Sequence, residues 1–212
     1  MKFIQPLLDA GTARRRIEHQ RFKHLRRWLG LPFRWLAWTY LNEGRKSEPA
    51  RFLRPLPYLE IAWFPYYLVT MEAVVKSSPQ DVTTMVGALD GRVTLIRVTD
   101  LKFAAQVDAE PFPPKLSEAE AVERARNFLL SALLRSPQWA AKTTLGQVRR
   151  VDLVHYPFWV YYFERRPGRL DVRILDAVTG QRVGAGVKGV FLEAVVTSTR
   201  SETCPKSPQR HA

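Results

Sequence analysis

The sequence predicts an α+β fold made of two duplicated helix-plus-antiparallel-meander units, with basic helices at the N-terminus. Three observations predict it. Trp63-Phe64-Pro65-Tyr66-Tyr67-Leu68-Val69 returns 92 residues later as His155-Tyr156-Pro157-Phe158-Trp159-Val160-Tyr161. A second landmark follows at nearly the same distance, where Ala88-Leu89-Asp90-Gly91-Arg92-Val93 is answered by Val178-Thr179-Gly180-Gln181-Arg182-Val183. A period this long marks a folding unit and not the rung of a solenoid. Third, Leu41 stands 23 residues before Phe64 and Arg135 stands 21 before Tyr156, so a helix precedes the aromatic strand at similar spacing in each copy.

From Thr12 to Leu29, Ile17, Phe22, His24, Leu25, Trp28 and Leu29 recur at helical spacing among arginines and a lysine, which reads as a basic amphipathic helix. Gly30-Leu31-Pro32 breaks it, because the residue before a proline is pushed out of the α region. Pro32 then opens a short second helix, Phe33 to Leu41. Residues 45–57, with Pro49, Pro55 and Pro57, suit a connector. Tyr58 to Val75 reads as a strand, a kink at Pro65 and another strand. After a loop from Lys76 to Asp81, Val82 to Ala88 forms the next, Asp90-Gly91 a tight turn, and Val93 to Val98 the return.

The prolines of Ala109 to Pro114 mark the boundary between the copies. Ser117 with Glu120 is a capping box, and Ala121, Val122, Ala125, Phe128, Leu129, Ala132 and Leu133 line one face of the helix that follows. Strands are expected at Val148 to His155, Pro157 to Arg165 and Leu170 to Leu175, then from Arg182 towards Val196. Residues 197–212 read as a disordered tail. The domain plan is therefore 1–44 basic helical segment, 45–108 first meander, 109–196 second helix and meander, 197–212 tail.

Composition narrows the function classes. The 212 residues include 46% apolar ones, enough for a buried core, and carry a formal charge of +13. Residues 1–57 hold thirteen Lys/Arg against Asp9, Glu18, Glu43 and Glu48, a net of +9, so most of the excess is local. Such a segment is drawn to polyanions. The one cysteine, Cys204, excludes an intrachain disulfide and a cysteine-based zinc site. The start lacks the apolar stretch of an export signal, and Leu25 to Leu41 is interrupted by Arg26, Arg27, Pro32 and Arg34, short of the roughly 20 apolar residues a span needs. A cytoplasmic protein, peripheral to the membrane at most, is expected.

The capped helix followed by a meander ending Leu170-Asp171-Val172-Arg173-Ile174-Leu175-Asp176-Ala177, Val178-Thr179-Gly180, Gln181-Arg182-Val183 resembles a PepSY-type domain over about 75 residues of the second copy. The first copy keeps only Leu89-Asp90-Gly91-Arg92-Val93 of that ending. The resemblance implies a non-catalytic module of the kind associated with inhibiting or regulating peptidases, usually outside the cytoplasm.

No catalytic, cofactor or metal set stands out. Gly184-x-Gly186-x-x-Gly189 has the letters of a dinucleotide fingerprint but reads as the end of a meander and not as a strand-to-helix turn. His19 and His24 lie five apart, not the four that puts two ligands on one helix face. His155 reads as a satisfied residue at a strand end. Asp90 and Asp176 read as turn carboxylates bonded to backbone amides. The aromatic strands are apolar on both faces, which asks for core on both sides or for a groove. What remains is a non-enzymatic binding or regulatory protein. Its candidate contact surface is Arg14, Arg15, Arg16, Arg21, Lys23, Arg26, Arg27, Trp28, Arg34, Trp35 and Trp38. Arginine with tryptophan on such a helix suits an anionic membrane surface or a protein partner. Arginine density alone suits nucleic acid, the alternative.

Overall fold

The computed structural model describes residues 1–18, 56–75, 78–104, 107, 111–135, 143–166 and 169–203. In chain order these form β1 (Lys2–Ile4), α1 (residues 10–18), β2 (Tyr58–Val75), β3 (Ser78–Gly87), β4 (Val93–Ile96), a 3-10 turn (Val98–Asp100) and β5 (Phe103–Ala104), then α2 (Glu118–Leu134), β6 (Thr143–Arg166), β7 (Arg169–Asp176) and α3 (Ala185–Thr203). All seven strands join one mixed sheet, in the order β4-β3-β2-β6-β1-β5 with β7 also on β6. Every pairing is antiparallel except that of β1 with β6. At about 3.3 Å per residue β6 extends for about 80 Å. It is long enough to pair with β2 along one edge and to hold β1, then β7, in succession along the other.

This sheet overturns the expected pair of helix-plus-meander units. β2 and β6, which were to belong to separate units, are neighbours from Tyr58↔Tyr162 to Val75↔Thr143. Their register sets Phe64 opposite Tyr156, the same two residues the 92-residue period relates. Hydrogen bonds then recur on both sides of that pair. Ala88 N–H donates to the Pro65 carbonyl (3.0 Å) as Ala177 donates to Pro157 (3.2 Å). Lys115 and Leu116 both donate to the Ala88 carbonyl, and Leu7 and Leu8 both donate to that of Ala177. Tyr67 Oη donates to Leu116 O (3.0 Å) and Trp159 Nε1 to Leu8 O (2.8 Å). Each helix therefore closes the hairpin of the other half: α1 packs on β6–β7 and α2 on β2–β3. The turns match Gly91 with Gly180, at φ 68° and 70°, an offset of 89 residues and not the 90 that aligned Arg92 with Arg182.

Pro65 and Pro157 do not interrupt their strands, contrary to the expected kink at Pro65 and the expected break between His155 and Pro157. In antiparallel pairing a residue's N–H and C=O point to the same neighbour. The Pro65 carbonyl faces Ala88, just beyond the β2–β3 ladder, which begins at Tyr66↔Gly87, so the missing N–H falls where no ladder partner exists. Pro157 sits likewise just outside Phe158↔Asp176. Pro79 lies within β3, where among the described residues nothing pairs with the outer edge, since β4 covers only Thr83 to Val86.

Alternation along the strands makes three layers. On one face Ala62, Phe64, Leu68, Val154, Tyr156, Phe158 and Val160 pack under Phe191 of α3. On the other, Tyr67, Val69, Met71 and Val86 meet Ala121, Ala125 and Leu129 of α2, while Tyr161, Phe163 and Leu175 meet Ala13 and Ile17 of α1. α1 starts before the expected Thr12, capped by Asp9, whose Oδ1 accepts from Thr12 N (2.9 Å). The capping box on α2 is complete, Glu120 N donating to Ser117 Oγ and Ser117 N to Glu120 Oε2.

The expected strand from Arg182 to Val196 is instead α3, with only Leu175↔Arg182 bridging first. Val187, Phe191, Ala194 and Val195 sit at helical spacing, and burial of Phe191 and Ala194 along that stripe outweighs the strand preference of the valines. The helix runs to Thr203, into the stretch read as a disordered tail. The predicted helix Phe33–Leu41 lies outside the described residues. No helix among the described residues is long and apolar enough to cross a membrane.

Candidate functional site

Of the predicted contact surface, Arg14, Arg15 and Arg16 lie on α1. Arg21, Lys23, Arg26, Arg27, Trp28, Arg34, Trp35 and Trp38 lie outside the described residues. The spacing that buries Ala13 and Ile17 (3% exposed) against Tyr161, Phe163 and Leu175 turns all three arginines outward. Arg14 Nε bonds Glu18 Oε1 at 3.0 Å, a contact that holds the guanidinium above its ordinary pKa. Arg16 Nη1 donates to Gly180 O (3.3 Å) across the second hairpin turn. Arg124 of α2 takes the matching place over the first turn: its guanidinium stands where a side chain on Gly91 would project. The underside of α1 is locked as well. Arg173 Nη1 donates to Ile17 O (3.1 Å) while its guanidinium carbon stands 4.8 Å from the centre of the Phe163 ring. α1 thus offers charge outward, and the Ile17 end of the amphipathic stripe read from the sequence belongs to the core.

The aromatic strands enclose a filled interior. Phe64 stacks on Phe191 (5.9 Å, 8°), meets Phe112 edge-on (5.5 Å) and lies 4.9 Å from Phe158. Between α3 and the first turn a cleft of about 200 Å³, its solvent-facing mouth included, is lined by Phe64, Pro65, Tyr66, Gly87, Leu89, Asp90, Val187 and Val190.

Both turn carboxylates bond to backbone, as expected. Asp176 Oδ1 accepts from Val178 N (2.8 Å) and Thr179 N (2.9 Å), and the carboxylate also takes the Tyr156 hydroxyl at 3.0 and 3.1 Å. Asp90 Oδ1 accepts from Arg92 N (3.1 Å), and Arg92 Nε lies 3.3 Å from Asp90 Oδ2. The two are not equivalent positions. Asp176 answers Gly87, and Asp90 reaches back so that its Oδ1 stands 2.3 Å from where a Gly87 Cβ would be. The halves thus place a carboxylate at the same spot from different residues. Burial, then the charge of the nearby carboxylates, pushes the Tyr156 and Tyr66 phenols well above their ordinary range. Both phenols stay neutral, and that of Tyr156 holds the second turn through Asp176.

Gly184, Gly186 and Gly189 do open a helix, α3, contrary to their reading as a meander's end. They still do not link a strand to a crossover helix: α3 is the last described element, and the Arg92 guanidinium crowds the space a side chain on Gly186 would take. Among the described residues no group of three or more His, Cys, Asp or Glu could hold a metal ion.

Sequence reasoning missed one site. His155 is neither at a strand end nor satisfied: it lies mid-β6, 2% exposed, with neither ring nitrogen hydrogen-bonded. Trp63, its counterpart in the period, is 4% exposed and leaves Nε1 unbonded. A histidine answering a tryptophan in otherwise matching apolar strands was the available signal. No family model, curated protein or solved structure matches the chain, so the PepSY-type resemblance gains no support.

Proposed function

We propose that this is a non-enzymatic binding protein that meets an anionic surface, a membrane or an acidic protein partner, through the basic segment that opens on α1. One observation carries the reading: α1 buries Ala13 and Ile17 in the core and presents Arg14, Arg15 and Arg16 outward, so the fold holds a rigid cationic edge where the segment begins. Clustered guanidinium groups recognise carboxylates and phosphates by charge and paired donors. Under this reading the protein works in the cytoplasm, peripheral to the membrane. The burial of Ile17 also favours a second reading, nucleic acid, because a contact made by charge alone asks nothing of an apolar face.

Co-sedimentation with phosphatidylserine-containing and neutral vesicles, beside salt titrations against single- and double-stranded nucleic acid, separates the readings. Membrane contact predicts binding to the anionic vesicles only, weakened by replacing Arg14, Arg15 and Arg16 with Ala and equally by replacing Trp35 and Trp38. Nucleic-acid contact predicts affinity falling with about one power of salt per phosphate met, with no demand for the tryptophans unless they stack on unpaired bases. Binding to neither at physiological salt sinks both and leaves an acidic protein as the partner to seek.

A further inference from the structure

His155 lies in the short stretch of β6 that runs between β2 and β1, with Pro65 opposite on one side and Phe3 on the other. Its side chain shares a face with Phe3 and Trp63. The Phe3 ring lies 5.0 Å from the imidazole and 5.1 Å from the Trp63 ring, the latter edge-on at 87°. Phe3 is 7% exposed, so β1 is the cover over an imidazole whose two nitrogens have no partner. A neutral imidazole tolerates this poorly, and an imidazolium, with two donors and a charge, far worse.

Among the described residues nothing packed around it answers a positive charge. β1 contributes Lys2 and the amino group of Met1, both cationic. The acid on β6 nearest in sequence, Asp152, lies on the opposite face, where Lys2 (2.7 Å) and Arg150 (2.6 Å) already hold it. β2 brings Trp63 and Pro65, and the Gln5 N–H beyond β1 goes to the carbonyl of Lys102. The inner faces of the flanking helices are Ala13 and Ile17 on α1, and Ala121, Ala125 and Leu129 on α2. Although Ile4 beside Phe3 is buried in the core of the opposite face, the strand with the shortest hold on β6 is β1. Its ladder to β6 is two pairs long, Lys2↔Val154 and Phe3↔His155, and its other edge holds only the two-residue β5.

We propose that His155 is an acid-sensitive latch on β1, and through β1 on α1 and the basic segment that continues from it. With the imidazole neutral, Phe3 closes over it and the strand is docked. Protonation puts an unanswered cation beneath Phe3, and β1 lifts so that water can reach the ring. The latch concerns the docking of β1 and holds whatever surface the basic segment meets.

The sign follows from burial, which lowers the histidine's pKa below its ordinary 6.5, with the nearby amino group acting in the same direction. A base depressed in the docked state leaves docking at full strength above its ordinary value. Docking weakens as pH falls below that value, by up to about tenfold per pH unit until the depressed value is passed.

The test is hydrogen exchange followed by mass spectrometry on the full chain, comparing protection at about pH 7.5 and about pH 5.5 after correction for intrinsic rates. The expected result is a loss of up to about tenfold in the protection of residues 1–18, with the β2–β6 core unchanged, and no loss in His155→Phe. If that variant fails to fold, His155→Gln, which cannot take a proton, serves in its place, and the imidazole of the native chain can be titrated by NMR. Equal protection at both pH values overturns the proposal. So does a loss shared by β2 and β6, a loss that persists in the substituted chain, or an imidazole that titrates at its ordinary value while the Phe3 signals stay fixed.

Discussion

Replacing Asp176 with Ala removes a carboxylate that accepts two turn amides and the hydroxyl of Tyr156, a residue 5% exposed. Water can reach the turn and replace the carboxylate for the amides in part. The Tyr156 hydroxyl is left in the interior, at a cost of about 1–3 kcal/mol for an orphaned buried donor. Together these give a loss of roughly 2–4 kcal/mol. Asp90→Ala removes one amide bond and a contact to an Arg92 side chain that is 63% exposed, which contributes about 0–1 kcal/mol, for a total of roughly 0.5–1.5 kcal/mol. Urea unfolding gives both losses from the midpoint, provided the slope is unchanged. A double-mutant cycle with Tyr156→Phe should return a coupling of about 1 kcal/mol or more. Equal losses for Asp90→Ala and Asp176→Ala, or a coupling near zero, would refute the assignment of Asp176 as the anchor of the second hairpin.

The phenols of Tyr66, Tyr156 and Tyr162, raised chiefly by burial, should show no phenolate absorbance on alkaline titration until the protein unfolds. Because their folded values lie above the ordinary one near 10, stability is intact below that pH and falls as pH rises beyond it. Ile17→Ala should cost about 2–4 kcal/mol in urea unfolding, because Ile17 is core, whereas Arg14→Ala, which removes only an exposed pair with Glu18, should cost about 0–0.5 kcal/mol.

What the sequence made legible was local. Ser117 and Glu120 announced α2, the glycines at 91 and 180 announced the turns, and the alternating aromatic runs announced β2 and β6. The failures share a cause: a local signal was allowed to decide a question that pairing decides. Pro65 looked like a kink and Pro157 like the start of a new strand because a proline's effect on a strand depends on which edge its missing N–H faces, and that edge belongs to a distant hairpin. Val183 to Val196 looked like strand because valine counts are local, while the stripe that buries Phe191 gains its value from Phe64 and Phe158 across the interior. Nor does any residue pattern announce that α1 docks on β6–β7, more than 140 residues away, and not on the strand that follows it. The charge of the proposed contact surface was legible, whereas the state of His155 was not: its mismatch with Trp63 can be read in the sequence, but an unpaired buried imidazole is a property of its surroundings.

The matched hydrogen bonds also measure how much chain the fold needs between each helix and its strand. Asp9 and Ser117 cap equivalent helices, and Phe64 and Tyr156 sit at equivalent points, opposite one another. From Ser117 to Tyr156 the chain advances 39 positions. From Asp9 to Phe64 it advances 55, sixteen more for the same task. Both ends of the longer path rest at one end of the sheet, because Glu18 accepts from the Tyr161 hydroxyl (3.1 Å) and Tyr58 pairs with Tyr162. Closing a longer loop between fixed ends costs little, growing only as the logarithm of its length. Residues 19–55 carry nine Lys/Arg against Glu43 and Glu48 and include Trp28, Trp35 and Trp38. This connection, sixteen residues longer than its counterpart, carries a net charge of +7 and three tryptophans. The binding role proposed above draws on that composition, with α1 as the segment's fixed point of departure.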